Sequence, residues 1–283
     1  MAIALAPSSA TVREMSTKPK AIARVRLDAL LAQRGLFASR SRAAAAVMAG
    51  EVRLGDPPRP AAKAGELVAP DVALTVAQGP EFVSRGGTKL ANALAATGVP
   101  VAGRRCLDVG ASTGGFTDCL LQRGAAAVVA LDVGYGELHW RLRSDPRVTV
   151  LERINARSLR PADLPFAPDL VVVDVSFISL RTVLPAVLSC AAERFDCLAL
   201  VKPQFEVGRG QVGKGGVVRD AGARRSVLVE VAAAARELGA AVIGFASSGL
   251  PGPKGNRETF LWLAEGARER SIDPEAAALE VEP

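Results

Sequence analysis

The spacing of apolar and polar positions divides this chain into two regions. Near the start, Leu27, Leu30 and Leu31 form a stripe at helical spacing between Arg26 and Arg34, and Gly35 follows as a C-terminal cap. Ser39 is placed to cap a second helix that runs to about Ala49 and stops at Gly50. Glu51-Val52-Arg53-Leu54 then alternates as a strand does, and Val68 and residues 72–76 read as further short strands. The pattern predicts a compact unit of two helices and a small sheet over residues 23–78, then a linker at 79–84.

From residue 85 the rhythm changes. β-rich runs at 105–109, 127–132, 148–151, 170–175 and 197–201 alternate with helical stretches such as 117–123 and 180–190. A long helix over about 221–238 precedes strands near 241–245 and 259–263. This alternation predicts an open, doubly wound, mostly parallel sheet over residues 85–268, so the chain reads as α/β with a small α+β unit ahead of it. Residues 1–22 mix Ser, Thr, Pro and Lys and are expected to be a disordered tail; residues 269–283, rich in Glu and Ala, are expected to fray.

The length of 283 residues accommodates both units, and 49% hydrophobic with only 4% aromatic residues implies a core filled by aliphatic side chains. The formal net charge is +6, but its placement says more than its size. Between Lys18 and Lys63 stand ten Lys or Arg against three Asp or Glu, a larger excess than that of the whole chain. The rest is therefore near balance, and the concentration marks a polyanion-binding face rather than a generally basic protein, with a solvated charged face as the alternative. Candidate phosphate contacts are Arg26, Arg34, Arg40, Arg42 and Arg53, with Arg85 at the start of the second region. Residues 1–10 lack the basic head and long apolar run of a signal peptide, and the longest apolar stretch, 170–190, is broken by Asp174 and Arg181. A cytoplasmic monomer with no membrane partner is expected. Cys106, Cys119, Cys190 and Cys197 form no C-x-x-C pair and read as buried reduced thiols. The single histidine, His139, excludes a multi-histidine metal site, and no metal is expected. It also excludes a Ser-His-Asp hydrolase unless it is itself the base; it reads as an ordinary residue on a helical stretch over 135–143.

The first strand of the second region ends in Leu107-Asp108-Val109-Gly110-Ala111-Ser112-Thr113-Gly114-Gly115-Phe116-Thr117. A glycine-rich turn between strand and helix lets backbone approach a ligand closely. A dinucleotide loop needs glycines at relative positions one, three and six; here they fall at one, five and six, with Ser112 third, so a nicotinamide cofactor fits poorly. The pattern D-x-G-x-x-x-G-G instead resembles motif I of class I methyltransferases. That resemblance implies S-adenosylmethionine cradled by residues 110–116. Asp108 stands where a carboxylate can meet the amino group, directly or through water. Asp132, 22 residues beyond Gly110, ends the second strand where an acid can accept the ribose hydroxyls. Asn155, after the third strand, is placed to line the adenine side. A second glycine stretch, residues 208–215, nearly spells a phosphate-binding P-loop, but Gly215 replaces the Ser or Thr that would hold Mg²⁺ and the stretch trails its strand by about seven residues. It reads as a substrate-side loop with Arg209 and Lys214 positioned to meet RNA phosphates.

Asp174 and Lys202 end apolar strands, and in an open α/β sheet such ends share the functional rim. Glu258 precedes the last strand and reaches that rim if the strand runs antiparallel; Lys89 can return there on the helix before the first strand. A lysine in a crowded cationic site is a suitable helper for a weakly acidic hydroxyl. Lys89, Asp174, Lys202 and Glu258 resemble the K-D-K-E tetrad of the FtsJ-like ribose 2′-O-methyltransferases. Together with Ser84-Arg85-Gly86-Gly87-Thr88-Lys89-Leu90, Asp132-Val133-Gly134-Tyr135-Gly136, residues 174–180, residues 201–207 and Leu250-Pro251-Gly252-Pro253-Lys254-Gly255-Asn256, they are similar to the TlyA family, over about residues 24–262. This implies 2′-O-methylation of cytidine in ribosomal RNA or ribosomal subunits. In the assignment favoured, Lys202 is the base or orienting cation, Asp174 and Glu258 tune and hold it, and Lys89 positions substrate. The motifs Arg26-Leu27-Asp28-Ala29-Leu30-Leu31, Gly35-Leu36, Ser39-Arg40-Ser41-Arg42 and Gly50-Glu51-Val52-Arg53-Leu54 resemble the S4 RNA-binding domain, which implies RNA docking by shape and phosphate contacts. Residues 80–83 align with an element that couples the two domains in the family, with Pro80 and Phe82 where that element has Arg and Trp. Two rival readings fit the residues less well. A non-catalytic ribosome-assembly factor leaves the tetrad unexplained, and a membrane-active haemolysin needs an inserting element that the pattern does not show.

Overall fold

The protein is described from a computed structural model covering residues 23–77, 81–208, 210, 212–213, 215–252, 254–269 and 272–282. The expected tail at 1–22 and the loop cations Arg209 and Lys214 lie outside the described residues. Contacts divide the chain into two compact units, residues 1–79 and 80–283.

In the first unit, β1 (Val25–Arg26) leads into α1 (Leu27–Gln33), and α2 (Arg40–Met48) follows. Ser39 caps α2 by accepting the Arg42 N–H at 3.3 Å. Gly35 and Gly50 follow the helices with φ of +71° and +77°, a left-handed conformation that glycine adopts without Cβ strain. β2 (Val52–Leu54) pairs antiparallel with β3 (Arg59–Pro60) and β5 (Leu74–Val76), while β4 (Leu67–Val68) pairs antiparallel with β1. The leucine stripe of α1, Ala43, Ala46 and Val47 of α2, and Val52 and Leu54 of β2 close one small core. The two-residue strands β1, β3 and β4 are too short to leave a period in the sequence.

The second unit opens with α3 (Arg85–Thr97), then alternates β6 (Arg105–Val109), α4 (Gly115–Gln122), β7 (Ala127–Leu131), α5 (Trp140–Arg143) and β8 (Val148–Leu151). It continues through β9 (Leu170–Val173), α6 (Leu180–Ser189), β10 (Asp196–Val201), α7 (Pro203–Glu206), α8 (Ala221–Glu237), β11 (Ala240–Ser247), β12 (Thr259–Glu265) and α9 (Pro274–Val281). The seven strands lie in the order β11-β12-β10-β9-β6-β7-β8. β10, β9, β6, β7 and β8 are mutually parallel, and β12 runs antiparallel to both β10 and β11. The strand interiors are continuous apolar runs because both faces are covered. One face packs against Leu90, Phe116 and Leu142 from α3, α4 and α5; the other packs against Val183, Val231 and Ala278 from α6, α8 and α9. Thr259 opens β12 opposite Val201, the last residue of β10, so the loop before β12 opens on the rim where the parallel strands end.

Three expectations change. Residues 81–83 are not a free linker. Phe82 is buried in the second unit's core, the Val83 N–H donates to Asp118 Oδ2 at 2.9 Å, and the Glu81 carbonyl accepts from Gln122. The stretch 135–143 is helical only from Trp140; His139 is its N-cap, and its Nδ1 accepts the Arg141 N–H. The C-terminal residues form α9 rather than fraying: Ala278 is buried, and Glu282 Oε2 receives the Arg224 Nε–H at 2.9 Å.

Candidate active site

The glycine loop between β6 and α4 is shaped by what stands against it. Gly110 has a φ of +86°, and a Cβ there would lie 2.5 Å from the Asp174 carbonyl oxygen, so backbone meets backbone. Gly115 is pressed against the backbone of Gly86 and Gly87 at the start of α3, where a Cβ would come within 2.8 Å of the Gly87 nitrogen. The two glycine motifs are thus one contact seen from both sides. Ser112 is held at a φ of +47° between them, with its N–H donated to Asp132 Oδ2 at 2.7 Å. Gly110 and Ala111 both donate to the Leu131 carbonyl, locking the loop to the end of β7.

A cavity of about 520 Å³ opens at this loop and is walled by Gly110, Ser112, Asp132, Asn155, Asp174 and Phe177. A smaller one of about 220 Å³ adjoins it through Gly110, Ser112 and Asp174, and reaches Arg85, Lys89 and Thr113. Asp132 falls one residue past its strand. Its Oδ1 accepts the Gly134 N–H at 2.7 Å, so both oxygens are aimed by backbone and each keeps a lone-pair site for a hydroxyl. Asn155 uses its carbonyl oxygen to accept from the Arg157 N–H and caps a short 3₁₀ turn beside the cavity. Asp108 differs from expectation: it is fully buried and does not wall either cavity. Its Oδ2 accepts the Thr117 hydroxyl at 2.7 Å, which braces the loop to the first turn of α4, and its Oδ1 has no partner. Burial, with the carboxylates of Asp174 and Asp132 nearby, pushes its pKa up to about 7 despite the Thr117 hydrogen bond.

The four tetrad residues meet as two ion pairs. Lys89 Nζ lies 2.5 Å from Glu258 Oε2, with both side chains almost wholly buried. Lys202 Nζ lies 2.5 Å from Asp174 Oδ1. This second contact is ionic, off the hydrogen-bond direction; the hydrogen bond from Lys202 goes to Ser176 Oγ at 2.9 Å. Lys89 and Asp174 share the smaller cavity, which brings the pairs together. Glu258 therefore holds Lys89, and Asp174 alone, with Ser176, holds Lys202; the expectation that both acids hold Lys202 is corrected. β12 runs antiparallel to β10, which meets the condition on which Glu258 reaches the rim.

Other residues of the rim escaped the sequence reading. Phe177 has a φ of +65° and is 91% exposed, its ring 5.1 Å from that of Phe205. A non-glycine residue in that region of backbone space is strained, which is typical of ligand sites. Glu206 accepts from Ser179 Oγ at 2.5 Å and from the Leu180 N–H at 2.7 Å, tying the segment after Asp174 to the one after Lys202. Asn256, buried, accepts the Val218 N–H and donates to the Gly216 carbonyl, fastening the loop that carries Glu258 to the segment just past the glycine stretch. A carboxylate four residues past a strand-end lysine, and an asparagine two residues before Glu258, were the only signals. Among the described residues no cluster of His, Cys, Asp or Glu could hold a metal ion.

The candidate phosphate contacts divide. Arg34 donates to the Val72 and Pro70 carbonyls, holding α1 to the loop before β5. Arg26 and Arg40 converge on Asp28. Arg42 and Arg53 are exposed, and Arg85 is exposed at the edge of the smaller cavity.

Residues 82–265 match the model of the FtsJ-like methyltransferase family. A Mycobacterium tuberculosis protein named 16S/23S rRNA (cytidine-2′-O)-methyltransferase TlyA is 57% identical over 242 residues, covering 85% of this chain and 90% of that protein. Hemolysin A of Brachyspira hyodysenteriae is 38% identical, covering 83% of this chain and 97% of that protein. A solved structure from Streptococcus thermophilus, also titled as a hemolysin, superposes with a TM-score of 0.68 at 38% identity, covering 92% of this chain and 96% of that one. With the loop, the sheet order and the two lysine–carboxylate pairs in place, these matches settle the family: the chain belongs to the FtsJ-like methyltransferases, and among them to the TlyA family.

Proposed function

We propose that this protein methylates the 2′-hydroxyl of a cytidine ribose in ribosomal RNA, using S-adenosylmethionine, in the cytoplasm where ribosomes are made. The observation that carries this reading is the meeting of two lysine–carboxylate pairs at a cavity bounded by the glycine loop. The residues fit the cofactor: Gly110 leaves the wall free of side chain, Asp132 offers acceptors for ribose hydroxyls, and Asn155 lines the far side. The bound cofactor supplies an electrophilic methyl group on a sulfonium. What remains for the chain is to hold the nucleophile in line and to take its proton. Asp174 and Ser176 aim Lys202, whose ammonium would orient the ribose hydroxyl, and the Asp174 carboxylate would take the hydroxyl proton as the oxygen gains the methyl group and the methyl–sulfur bond breaks. Lys89, fixed by Glu258, adds positive charge on the other side. Exposed Phe177 offers a face on which a nucleobase can stack. The N-terminal unit, with Arg26, Arg40, Arg42 and Arg53 outward, grips RNA phosphates. An assembly factor without activity would leave the two pairs unemployed. Among the described residues no helix is long and apolar enough to cross a membrane.

The test is to incubate the protein with labelled S-adenosylmethionine and ribosomal subunits and to map 2′-O-methylation. Wild-type protein should label a cytidine; Lys202→Ala should lower the rate by about 10²–10⁴-fold with cofactor affinity intact. Unlabelled RNA under conditions where the cofactor is bound would overturn the reading.

A further inference from the structure

Asp28 is a carboxylate on the face that ought to attract a polyanion. Its side chain is 8% exposed and lies beneath two arginines. Its Oδ1 accepts the Ala29 N–H at 2.7 Å, which fixes the rotamer. Arg26 gives it two hydrogen bonds, Nε to Oδ1 at 3.1 Å and Nη2 to Oδ2 at 2.9 Å, and Arg40 reaches the same Oδ2 from the start of α2 at 3.4 Å. The two guanidinium groups thus come from different elements and are joined only by this carboxylate. Above it they are open: the side chains of Arg26 and Arg40 are 52% and 60% exposed. Arg26 Nη1 and the Nε and Nη1 of Arg40 have no partner among the described residues. Gly65 sits alongside, where a Cβ would come within 3.1 Å of Arg26 Nη1, so a missing side chain makes room for the guanidinium.

We infer that Asp28 is a positioning residue of the RNA-docking face, holding the guanidinium groups of Arg26 and Arg40 side by side so that they receive adjacent phosphate oxygens as one fork. This rests on the reading that the N-terminal unit docks RNA. Pre-organisation by the carboxylate favours such a fork. A free arginine loses rotamer freedom when it binds, and a guanidinium already fixed by a buried acceptor loses less. Guanidinium planes in a set geometry suit phosphate oxygens better than mobile point charges do. Asp28 lies below the pair, so its negative charge is covered by the groups it orients. Arg26 beside it holds the carboxyl down at about 2, so it stays ionised throughout the working range.

Charge alone and positioning give opposite signs for the loss of Asp28. On charge alone, removing an acid from a basic face strengthens RNA binding. On positioning, it weakens binding. The full chain is titrated with protein-free ribosomal RNA between 50 and 200 mM KCl, comparing wild type with Asp28→Asn, Arg26→Ala/Arg40→Ala and the triple variant. Expected is a roughly 3- to 10-fold weaker affinity for Asp28→Asn, a smaller salt slope, and no further loss when it is added to the double variant. A scaffolding role alone would give further loss there. Equal or tighter binding by Asp28→Asn, with the double variant weakened, overturns the inference and leaves RNA docking standing. Unchanged binding by the double variant removes the docking reading and the inference with it. Should Asp28→Asn lower the unfolding midpoint of the unit, Arg40→Lys decides, since it keeps the charge and the Arg26–Asp28 bonds. Binding as weak as that of Arg40→Ala supports the fork, and wild-type affinity overturns it.

Discussion

Asp108 carries a charge that its surroundings oppose. It is fully buried, its Oδ1 is unpartnered, and two further carboxylates lie close enough to raise its pKa. The sign follows from linkage. A carboxyl whose folded value lies above its unfolded one favours the native state at low pH, and that contribution is lost as pH rises towards the folded value. A rise from 3.8 to about 7 corresponds to roughly 4 kcal/mol lost between about pH 4 and 7. Asp108→Asn should therefore flatten the dependence of unfolding midpoint on pH across that window and stabilise the cofactor-free protein above it. Parallel curves for variant and wild type would show that the buried charge is not the cause. The sequence placed this acid at the right turn. It could not show that the carboxylate sits under the loop and not in the cavity, because that depends on the Thr117 hydroxyl that claims it.

Elements were legible where burial is complete on both faces. Leu170–Val173 and Asp196–Val201 are buried throughout, so their apolar runs could be read directly, whereas the direction of β12 stood open in the sequence and is antiparallel in the fold. Elements held by few apolar contacts were not. α9 buries only Pro274 and Ala278 fully, with Val281 in part, and its Glu- and Ala-rich sequence reads as a tail. Its start signal was present all the same: Asp273 caps the helix and Pro274 opens it. What secures it is long-range, the Arg224–Glu282 pair with both side chains under 10% exposed and the Ile272 N–H donated to the Val242 carbonyl of edge strand β11. Breaking one side of such a buried pair leaves an uncompensated charge. Glu282→Ala should lower stability by about 3 kcal/mol, read as a drop in thermal midpoint of the catalytic unit; a change under about 0.5 kcal/mol would mean that Arg224 finds its neighbouring carbonyls sufficient.

At the scale of the molecule, charge and chemistry are assigned to different parts. The basic excess lies in the N-terminal segment, whereas the tetrad draws on residues from 89 to 258. Affinity for RNA should therefore fall steeply with salt, on the order of 10²–10³-fold between 50 and 200 mM for about five phosphate contacts. The dissociation constant of S-adenosylmethionine should hardly move over the same range, as isothermal titration at each salt would show; a parallel collapse of both would mean that salt acts on the fold. The Lys89–Glu258 pair spans 169 positions of sequence. A chain leaving the ribosome presents its basic N-terminal unit first and Lys89 soon after, but the acid that fixes this lysine only near the end of synthesis. The catalytic centre can close only once the antiparallel strand has been inserted between β10 and β11. If the N-terminal unit docks RNA as proposed, a nascent or C-terminally truncated copy holds ribosomal RNA without modifying it, and binding comes before chemistry in the life of each molecule as well as in each turnover.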